Sequence, residues 1–160
     1  MMRGALFSAL DSLDADFSRV LDLYAGTGAL GIEALSRGAE WCDFVERDRT
    51  MAEVIRENLR LTGFEANAKV YPIAAGRALN RLSEPYTLVL ADPPYHDTGA
   101  VIVLAEFAAS PLVGDDTIVV LEHSARDEPA AELGRLQLAK SLRHGDSAAS
   151  TYCPMGGEPC

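Results

Sequence analysis

The chain is organised around one stretch, Val20-Leu-Asp-Leu-Tyr-Ala-Gly-Thr-Gly-Ala-Leu-Gly-Ile-Glu-Ala-Leu35. Its apolar start predicts a short buried strand, and the residues after the glycines have the spacing of a helix. Gly26, Gly28 and Gly31 have the spacing of turns that join a strand to a helix around a bound nucleoside. Glycine allows such a sharp turn and a close approach to a ligand, because a Cβ atom would block both. The stretch therefore predicts a nucleoside-binding strand–turn–helix unit.

An acidic residue at a suitable distance supports this prediction. Glu46 ends a second apolar run, 20 residues after Gly26. In nucleoside-binding βαβ units, an acid at this distance accepts hydrogen bonds from ribose hydroxyls. The alternative is a purely structural corner followed by an incidental surface glutamate. The strand, the helix and the acid together favour a binding site, since glycines alone also mark ordinary turns.

Length and composition indicate a single globular domain. The chain has 160 residues, enough for one ordinary domain and too few for two. We assign residues 1–153 to this domain and expect residues 154–160 to form a flexible tail. No run is long enough to span a membrane, and the first residues lack the pattern of a secretory signal. We therefore expect a cytoplasmic protein whose cysteines are reduced thiols, without a metal site. The oligomeric state stays open.

The charge balance limits the kinds of partner. There are 14 Lys and Arg residues against 24 Asp and Glu, a net charge of −10. Proteins that bind nucleic acid through bulk charge need many cations to neutralise phosphates. The composition argues against that mode of binding. It leaves open an enzyme that acts on one exposed base.

Helical and extended patterns alternate along the chain. This alternation predicts an α/β doubly wound, Rossmann-like sheet, mostly parallel, with an antiparallel hairpin at its C-terminal edge. Thr50 and Glu53 predict a capping box, and Glu122 and His123 are expected just past the end of the fifth strand. The predicted helices cover residues 3–10, 29–37, 50–63, 76–82 and 101–108, and the predicted strands cover 20–23, 41–46, 68–73, 86–91, 117–121, 135–142 and 148–153.

A second motif, Asp92-Pro93-Pro94-Tyr95, directly follows the predicted strand 86–91. Open α/β sheets bind ligands at this end of their strands. The prolines make the segment rigid and leave its carbonyls as acceptors. Asp92 and the Pro93 carbonyl can accept both N–H bonds of an exocyclic amine, while Tyr95 stacks on the base. The alternative is a proline turn with a half-buried tyrosine. His123 and His144 are weaker candidates, as proton relays.

These strings resemble class I S-adenosylmethionine-dependent methyltransferases. Residues 22–28 resemble the first motif of that class, and Asp92-Pro-Pro-Tyr95 its amino-methyltransferase motif. Within the class, the chain is similar to the RsmD family, which methylates N2 of a guanine in 16S rRNA of the small ribosomal subunit. The strings that carry this similarity are residues 4–7, 21–37, 44–48, 90–95, 120–122 and 144–147, with Tyr152.

The resemblance implies an enzyme that transfers a methyl group from S-adenosylmethionine to a guanine amine. It implies catalytic roles for Asp92, Pro93, Pro94 and Tyr95. The cofactor-binding residues that it implies are Asp22, Tyr24, Ala25, Gly26, Thr27, Gly28, Glu46, Arg47, Ala75 and Asp92.

The sequence departs from the family pattern in three ways. The family usually has an arginine-rich N-terminal segment, and this chain begins almost at the first helix, so we expect the RNA-binding extension to be largely absent. Ala74 stands where the family often has Asp or Asn, so only the backbone N–H of Ala75 would reach the adenine. The net charge is acidic. Three alternatives follow: a methyltransferase of a protein or small molecule, a nicotinamide-binding or non-catalytic Rossmann domain, and a cofactor-binding form with lost RNA affinity.

Overall fold

The computed structural model describes residues 2–156. Within them, eight strands form one sheet in the order β3-β2-β1-β4-β5-β8-β7-β6. The first five strands are parallel, and β8, β7 and β6 continue the sheet in antiparallel fashion. The predicted fold class is therefore confirmed. The strands are β1 (Arg19–Leu23), β2 (Trp41–Val45), β3 (Ala68–Tyr71), β4 (Tyr86–Ala91), β5 (Val113–Ser124), β6 (Glu132–Leu133), β7 (Leu136–His144) and β8 (Ser147–Pro154), and the helices are α1 (Met2–Ser12), α2 (Ala29–Ser36), α3 (Arg49–Thr62), α4 (Ala75–Ala78) and α5 (Ala100–Ala108).

The core lies on both faces of the sheet, because alternate strand residues point to opposite sides. In β1, Val20 packs with side chains of α1, α2 and α3 on one face. Leu21 and Leu23 pack with side chains of α4 and α5 on the other face. This two-sided burial explains why the central strands are almost continuously apolar. It also fixes which strand residues share a face near the predicted site.

Helix α2, which follows the glycine turn, packs very closely on strand β2. An added Cβ at Gly31 of α2 would lie 2.8 Å from Cys42 Sγ and would also overlap the Phe44 ring. Gly31→Ala should therefore lower the free energy of unfolding by about 1–3 kcal/mol, the usual cost of overpacking a core. Urea unfolding measures this change. Gly4→Ala is the matched control, since nothing lies within 4 Å of its added Cβ in α1; a similar loss in both variants would contradict this explanation.

The predicted capping box of α3 is wrong. The helix begins at Arg49, one residue before the prediction, and its N-cap is Asp48. The Asp48 carboxylate accepts hydrogen bonds from the backbone N–H groups of Thr50, at 2.8 Å, and Met51, at 3.2 Å. Aspartate is as good an N-cap as threonine. Asp48, which is nearer than Thr50 to the end of β2, therefore caps α3.

The fifth strand is longer than the sequence predicts. β5 extends to Ser124 because β8 pairs with it in antiparallel fashion as far as the pair Ser124 and Ser147. Glu122 and His123 thus lie within the strand, and their predicted position past its end is wrong. The two-residue strand β6 was not predicted.

Two predictions concern the C-terminal end. β8 includes Pro154, where the predicted tail begins, and residues 157–160 lie outside the described part of the chain. Cys153 is disulfide-bonded, so the prediction of reduced thiols is wrong for this residue. Cys42 is a free thiol, buried in the core.

Candidate active site

A large cavity opens where the strand order reverses. From β1, the chain adds β2 and then β3 on one side. It then adds β4 and β5 on the other side of β1, so the strand order reverses between β1 and β4. Doubly wound sheets bind ligands at the carboxyl ends of their strands at such a point. The cavity has a volume of about 1040 Å³. Its lining combines both sequence motifs: Tyr24, Gly26, Val45, Glu46, Arg47, Asp48, Ala74, Ala75, Gly76, Asp92, Pro93, Pro94, Tyr95, His96, Asp97, Thr98, Gly99, Val103, Glu122 and Ser147.

Glu46 is held against the glycine turn by two backbone groups. Its Oε1 accepts a hydrogen bond from the Gly26 N–H at 2.9 Å, and its Oε2 accepts one from the Asp48 N–H at 2.8 Å. A carboxylate has about four acceptor positions. Two remain for donors in the cavity, so the side chain can bind a vicinal pair of hydroxyls, as a ribose presents.

The glycine turn leaves room for a ligand beside Gly26. Its φ is +58°, and nothing lies within 4 Å of a Cβ added there. The preceding Tyr24 also has a positive φ, of 57°, and burial, followed by the charge of Asp97, raises its pKa to about 12. Such a conformation is costly for a residue with a side chain. The backbone of this turn is therefore fixed in an unusual shape that faces open space.

Gly26→Ala should weaken binding of S-adenosylhomocysteine, the probe for the cofactor that the sequence resemblance implies, by roughly tenfold to a hundredfold. The added methyl group would occupy the space that a ligand must enter, and overpacking of this kind costs about 1–3 kcal/mol. Isothermal titration calorimetry measures the affinity.

Gly63→Ala is the matched control for this variant. Gly63 also has a positive φ, of +80°, with nothing near its added Cβ, but it ends α3 and does not line the cavity. Both variants should lose similar stability through backbone strain. Equal losses of affinity in the two variants would contradict a ligand-binding role for Gly26.

Asp22 lies beneath the turn and is almost fully buried. Its Oδ2 accepts a hydrogen bond from the Gly31 N–H at 3.0 Å, while its Oδ1 has no partner among the described residues. Burial raises the pKa of this carboxyl well above its usual range; the Gly31 bond lowers it, and the charges of Asp92, Glu122 and Glu46 raise it further. A buried oxygen without a partner is costly. A donor group of a bound ligand would relieve that cost.

The Asp-Pro-Pro-Tyr segment lies beside the glycine turn. The backbone N–H of Asp92 donates to the Leu23 carbonyl of β1 at 3.4 Å, which joins the ends of the two strands. The Pro94 carbonyl accepts from the Asp97 N–H at 2.9 Å. The Asp92 side chain opens onto the cavity, and its desolvation there raises its pKa.

Tyr95 supplies an aromatic surface at the mouth of the cavity. Its side chain is 57% exposed, and its hydroxyl is hydrogen-bonded to Ser147 Oγ at 2.6 Å. Ser147 begins β8, so the antiparallel hairpin fixes the tyrosine from the far side. An exposed but tethered ring can stack on a planar group at little cost in side-chain entropy.

Glu122 is a candidate site residue that sequence reasoning missed. Ala91 of β4 is in register with Leu121 of β5, so Asp92 and Glu122 occupy the next level on adjacent parallel strands. Their side chains are within hydrogen-bonding reach of each other. Burial, then the charge and hydrogen bond of Asp92, raises the pKa of Glu122 to about 7. The sequence shows only a glutamate after an apolar run, and the register that places it beside Asp92 is a tertiary property.

The structure brings most of the predicted site residues together, but not all. Four of them do not line the cavity: Asp22, Ala25, Thr27 and Gly28. They shape the turn instead. The Ala25 N–H donates to the Val45 carbonyl at 3.0 Å, the Thr27 carbonyl accepts from Asn58 Nδ2 at 3.0 Å, and Gly28 packs closely on Ile55 and Phe44.

A second, smaller cavity adjoins the first. Its volume is about 320 Å³, and it shares Pro93, Tyr95 and Glu122 with the larger one. Its far wall consists of Ala130, Leu133 and other residues between β5 and β7. The two cavities thus meet at the Asp-Pro-Pro-Tyr segment. This arrangement offers two ligands a common boundary at Pro93, Tyr95 and Glu122.

The cavity has a negative electrostatic character. Its wall carries the carboxyl groups of Glu46, Asp48, Asp92, Asp97 and Glu122 and one guanidinium, that of Arg47. A ligand with a positive charge fits this environment better than an anion.

Within residues 2–156 there is no cluster of three or more potential metal ligands, and no helix is long and apolar enough to cross a membrane.

Comparisons with known proteins agree with this architecture. The chain is 33% identical over 144 residues to "Putative rRNA methyltransferase YlbH" of Bacillus subtilis, an alignment that covers 88% of this chain and 78% of that one. It is 37% identical over 94 residues to Ribosomal RNA small subunit methyltransferase D of Escherichia coli, covering 59% of this chain and 46% of that one.

A solved structure and a family pattern extend the comparison. The structure of "Putative methyltransferase yhhF" from Escherichia coli superposes with a TM-score of 0.84 and 26% identity, covering 95% of this chain and 85% of that one. The family described as "Conserved hypothetical protein 95" matches residues 1–153. The resemblance predicted from the sequence is confirmed, and the chain belongs to this family, the RsmD family.

Proposed function

We propose that this protein is an S-adenosylmethionine-dependent N-methyltransferase that acts on the exocyclic amine of a guanine in 16S rRNA of the small ribosomal subunit. One observation carries the proposal: the glycine turn with Glu46 and the rigid segment from Asp92 to Tyr95 line the same cavity. The first suits a nucleoside and the second suits a planar amine. We propose ribosomal RNA as the acceptor because two relatives are named as methyltransferases of ribosomal RNA.

Several features of the cavity fit the proposed cofactor. Gly26 leaves space for close approach, and Glu46 has free acceptor positions for ribose hydroxyls. The unpartnered Oδ1 of Asp22 can accept from an ammonium group, directly or through water. The acidic wall suits a molecule with a sulfonium and an ammonium charge. When bound, S-adenosylmethionine would supply an electrophilic methyl group.

The remaining cofactor contacts are proposed from position in the cavity. Tyr24 and Arg47 line it beside Glu46, and Ala75 lines it at the start of α4. We assign the backbone N–H of Ala75 to the adenine. Ala25, Thr27 and Gly28 would act indirectly, since they hold the turn in shape rather than face the cavity. The two groups of residues should therefore respond differently to substitution.

The chain's own residues would activate and orient the amine. An aryl amine is a weak nucleophile because its lone pair is delocalised into the ring. Hydrogen bonds from the amine to the Asp92 carboxylate and the Pro93 carbonyl would stabilise the positive charge that develops on nitrogen. Pro94 keeps the segment rigid, and Tyr95 would stack on the base, an interaction worth about 1–3 kcal/mol. This positioning supplies much of the rate enhancement.

The net charge of −10 bears on the choice of acceptor. Phosphate contacts contribute a large part of RNA affinity, and an acidic chain makes few of them. We infer that recognition relies on the extruded base and on the shape of the small subunit rather than on free RNA. A cytoplasmic location follows from that acceptor.

The alignments cover 78% and 46% of the two named relatives, so their full activity is a proposal for this chain.

A methyl-transfer assay with three acceptors tests the proposal. Purified protein is incubated with radiolabelled S-adenosylmethionine and with small ribosomal subunits, naked 16S rRNA or a protein fraction. We expect label in the RNA of the subunits and little in the other two samples. Label found only in protein would favour a protein methyltransferase, a reading that the acidic surface supports. Subunits from a strain lacking the methylation provide the unmodified acceptor.

A calorimetric titration separates a methyltransferase from other nucleoside-binding domains. S-adenosylhomocysteine should bind and NAD should not, because the acidic wall repels a pyrophosphate. The opposite result would indicate a nicotinamide-binding domain. Binding of S-adenosylhomocysteine without transfer to any acceptor would indicate a cofactor-binding form that has lost RNA affinity.

A further inference from the structure

The structure contains a pair of carboxyl groups where the amine is proposed to react. Asp92 directly follows Ala91, the last residue of β4, and Glu122 follows Leu121, the residue of β5 that is in register with Ala91. Neighbouring strands are about 4.8 Å apart, so the two side chains lie side by side. On the other side of Glu122, β8 places Ala149, which has no charge. Neither carboxyl takes part in an ion pair among the described residues.

Two adjacent carboxylates without a cation repel each other when both are ionised. A shared proton removes this repulsion, because one carboxyl then donates a hydrogen bond to the other. The hydrogen-bonding reach between Asp92 and Glu122 allows this arrangement. Glu122 is more enclosed than Asp92, whose side chain opens onto the cavity. The proton therefore resides on Glu122, and Asp92 faces the amine as the acceptor.

We propose that Glu122 is a positioning residue that binds and releases the proton shared with Asp92, and that its ionised form allows Asp92 to take the proton that the amine loses. This inference rests on the proposed transfer of a methyl group to an amine. It assigns the cavity a second carboxyl with a defined task, which neither sequence motif identifies.

The proton balance of the reaction requires that one proton leave the methylated nitrogen. When the amine is methylated, an N–C bond forms, and the C–S bond of the donor breaks with its electron pair going to sulfur. The nitrogen then carries a positive charge. Its N–H bond breaks, the electron pair stays on nitrogen, and an O–H bond forms on Asp92. The proton passes from Asp92 to the ionised Glu122 and leaves through the open cavity to solvent.

The pair also explains how the site responds to pH. Burial and the neighbouring Asp92 raise the pKa of Glu122 to about 7. A raised carboxyl pKa means that the group is protonated at acidic pH and ionises as the pH passes neutrality. The competent, doubly ionised pair therefore forms above about pH 7. We expect the rate of methyl transfer to rise as pH increases through this value.

Other titratable groups face the same space and must be distinguished from Glu122. Two histidines, His96 and His123, are among these groups. The titratable and charged groups around Glu122 are Asp22 from β1; Tyr24, Glu46, Arg47 and Asp48 from the ends of β1 and β2; Asp92, Tyr95, His96 and Asp97 after β4; His123, Asp127 and Glu128 on or after β5; and Tyr152 from β8.

The first test is the pH profile of transfer by Glu122→Gln. We expect the rate at pH 8 to fall by about 100-fold, the lower end of the usual contribution of a proton-transfer group, and the inflection near neutral pH to disappear. His96→Gln and the exposed Glu106→Gln should both keep it. An inflection that persists in Glu122→Gln, or that disappears in His96→Gln instead, would overturn the proposal.

The second test needs no acceptor and no turnover. Calorimetry of the wild-type protein at pH 7, in buffers with different ionisation enthalpies, counts the protons released when a ligand binds. The positive charge of S-adenosylmethionine should favour the ionised pair and release roughly half a proton, since a group with pKa near the pH is about half protonated. Neutral S-adenosylhomocysteine should release fewer.

Glu122→Gln should abolish the difference between the two ligands, and equal proton release in the wild-type protein would overturn the proposal. Far-UV circular dichroism and the affinity for S-adenosylhomocysteine establish that the variant is folded. Because this test omits RNA, a positive result stands even if methyl transfer to 16S rRNA fails. Failure of the proposed acceptor and failure of the Glu122 role are therefore distinguishable.

Discussion

Replacing Asp92 with alanine should lower the rate of methyl transfer by about 10²–10³-fold, the usual cost of removing one group that stabilises developing charge. The carboxylate lies just past the end of β4 and lines the larger cavity. In the proposed mechanism, its loss deprives the amine of an acceptor and deprives Glu122 of the partner through which it acts. A single-turnover assay with small ribosomal subunits measures the rate of the transfer step.

Cofactor affinity should change much less in this variant. Gly26 and Glu46 bind the nucleoside in our proposal, and neither depends on the Asp92 side chain for its position. Asp116→Ala is the matched control, because Asp116 is exposed near the opposite end of β5. Asp92→Ala should therefore separate affinity from turnover. Substantial turnover by Asp92→Ala would refute the role that we assign to this residue.

Asp43→Ala should lower the free energy of unfolding by about 3–5 kcal/mol, the cost of removing one partner from a buried charged network. Asp43 is 1% exposed and lies in β2, remote from the cavity. It accepts hydrogen bonds from the Tyr86 hydroxyl at 2.6 Å, from Trp41 Nε1 at 2.9 Å and from Arg19 Nη2 at 3.2 Å. These donors connect β1, β2 and β4.

Removal of the carboxylate leaves three donors without this acceptor and Arg19 without a buried counter-charge. Equilibrium unfolding in urea, followed by circular dichroism, measures the effect. Asp11→Ala is the control, since Asp11 is 62% exposed and makes a surface ion pair with Arg37; such pairs contribute about 0–1 kcal/mol. Similar losses in the two variants would contradict the importance that we give to the buried network.

The sequence predicts the fold well because its signals are local. Strand β4 matches its predicted range, and α2 begins at the predicted residue after the glycine turn. Apolar runs identify buried parallel strands, and glycines mark the turns between them. The helix caps are harder to predict. Both Asp48 and Thr50 can cap α3, and only the path of the chain from β2 makes Asp48 the cap.

The candidate site is less predictable because it depends on strand register. The two motifs, around Gly26 and Asp92, are visible in the sequence, and their location in one cavity follows from the topology. Glu122 is not visible in this way. Its place beside Asp92 depends on the pairing of β4 with β5 and on β8, which extends β5. Asp22 shows the converse, since the resemblance assigns it to the cofactor and the structure places it beneath the turn, outside the cavity lining.

Analysis of the methylated nucleoside tests the central claim most directly. Small ribosomal subunits are incubated with the protein and with S-adenosylmethionine carrying a deuterated methyl group, and their RNA is digested and examined by mass spectrometry. We predict one labelled nucleoside, N2-methylguanosine, which is absent when Asp92→Ala replaces the wild-type protein. Label in another nucleoside, or in ribosomal protein alone, would contradict the account.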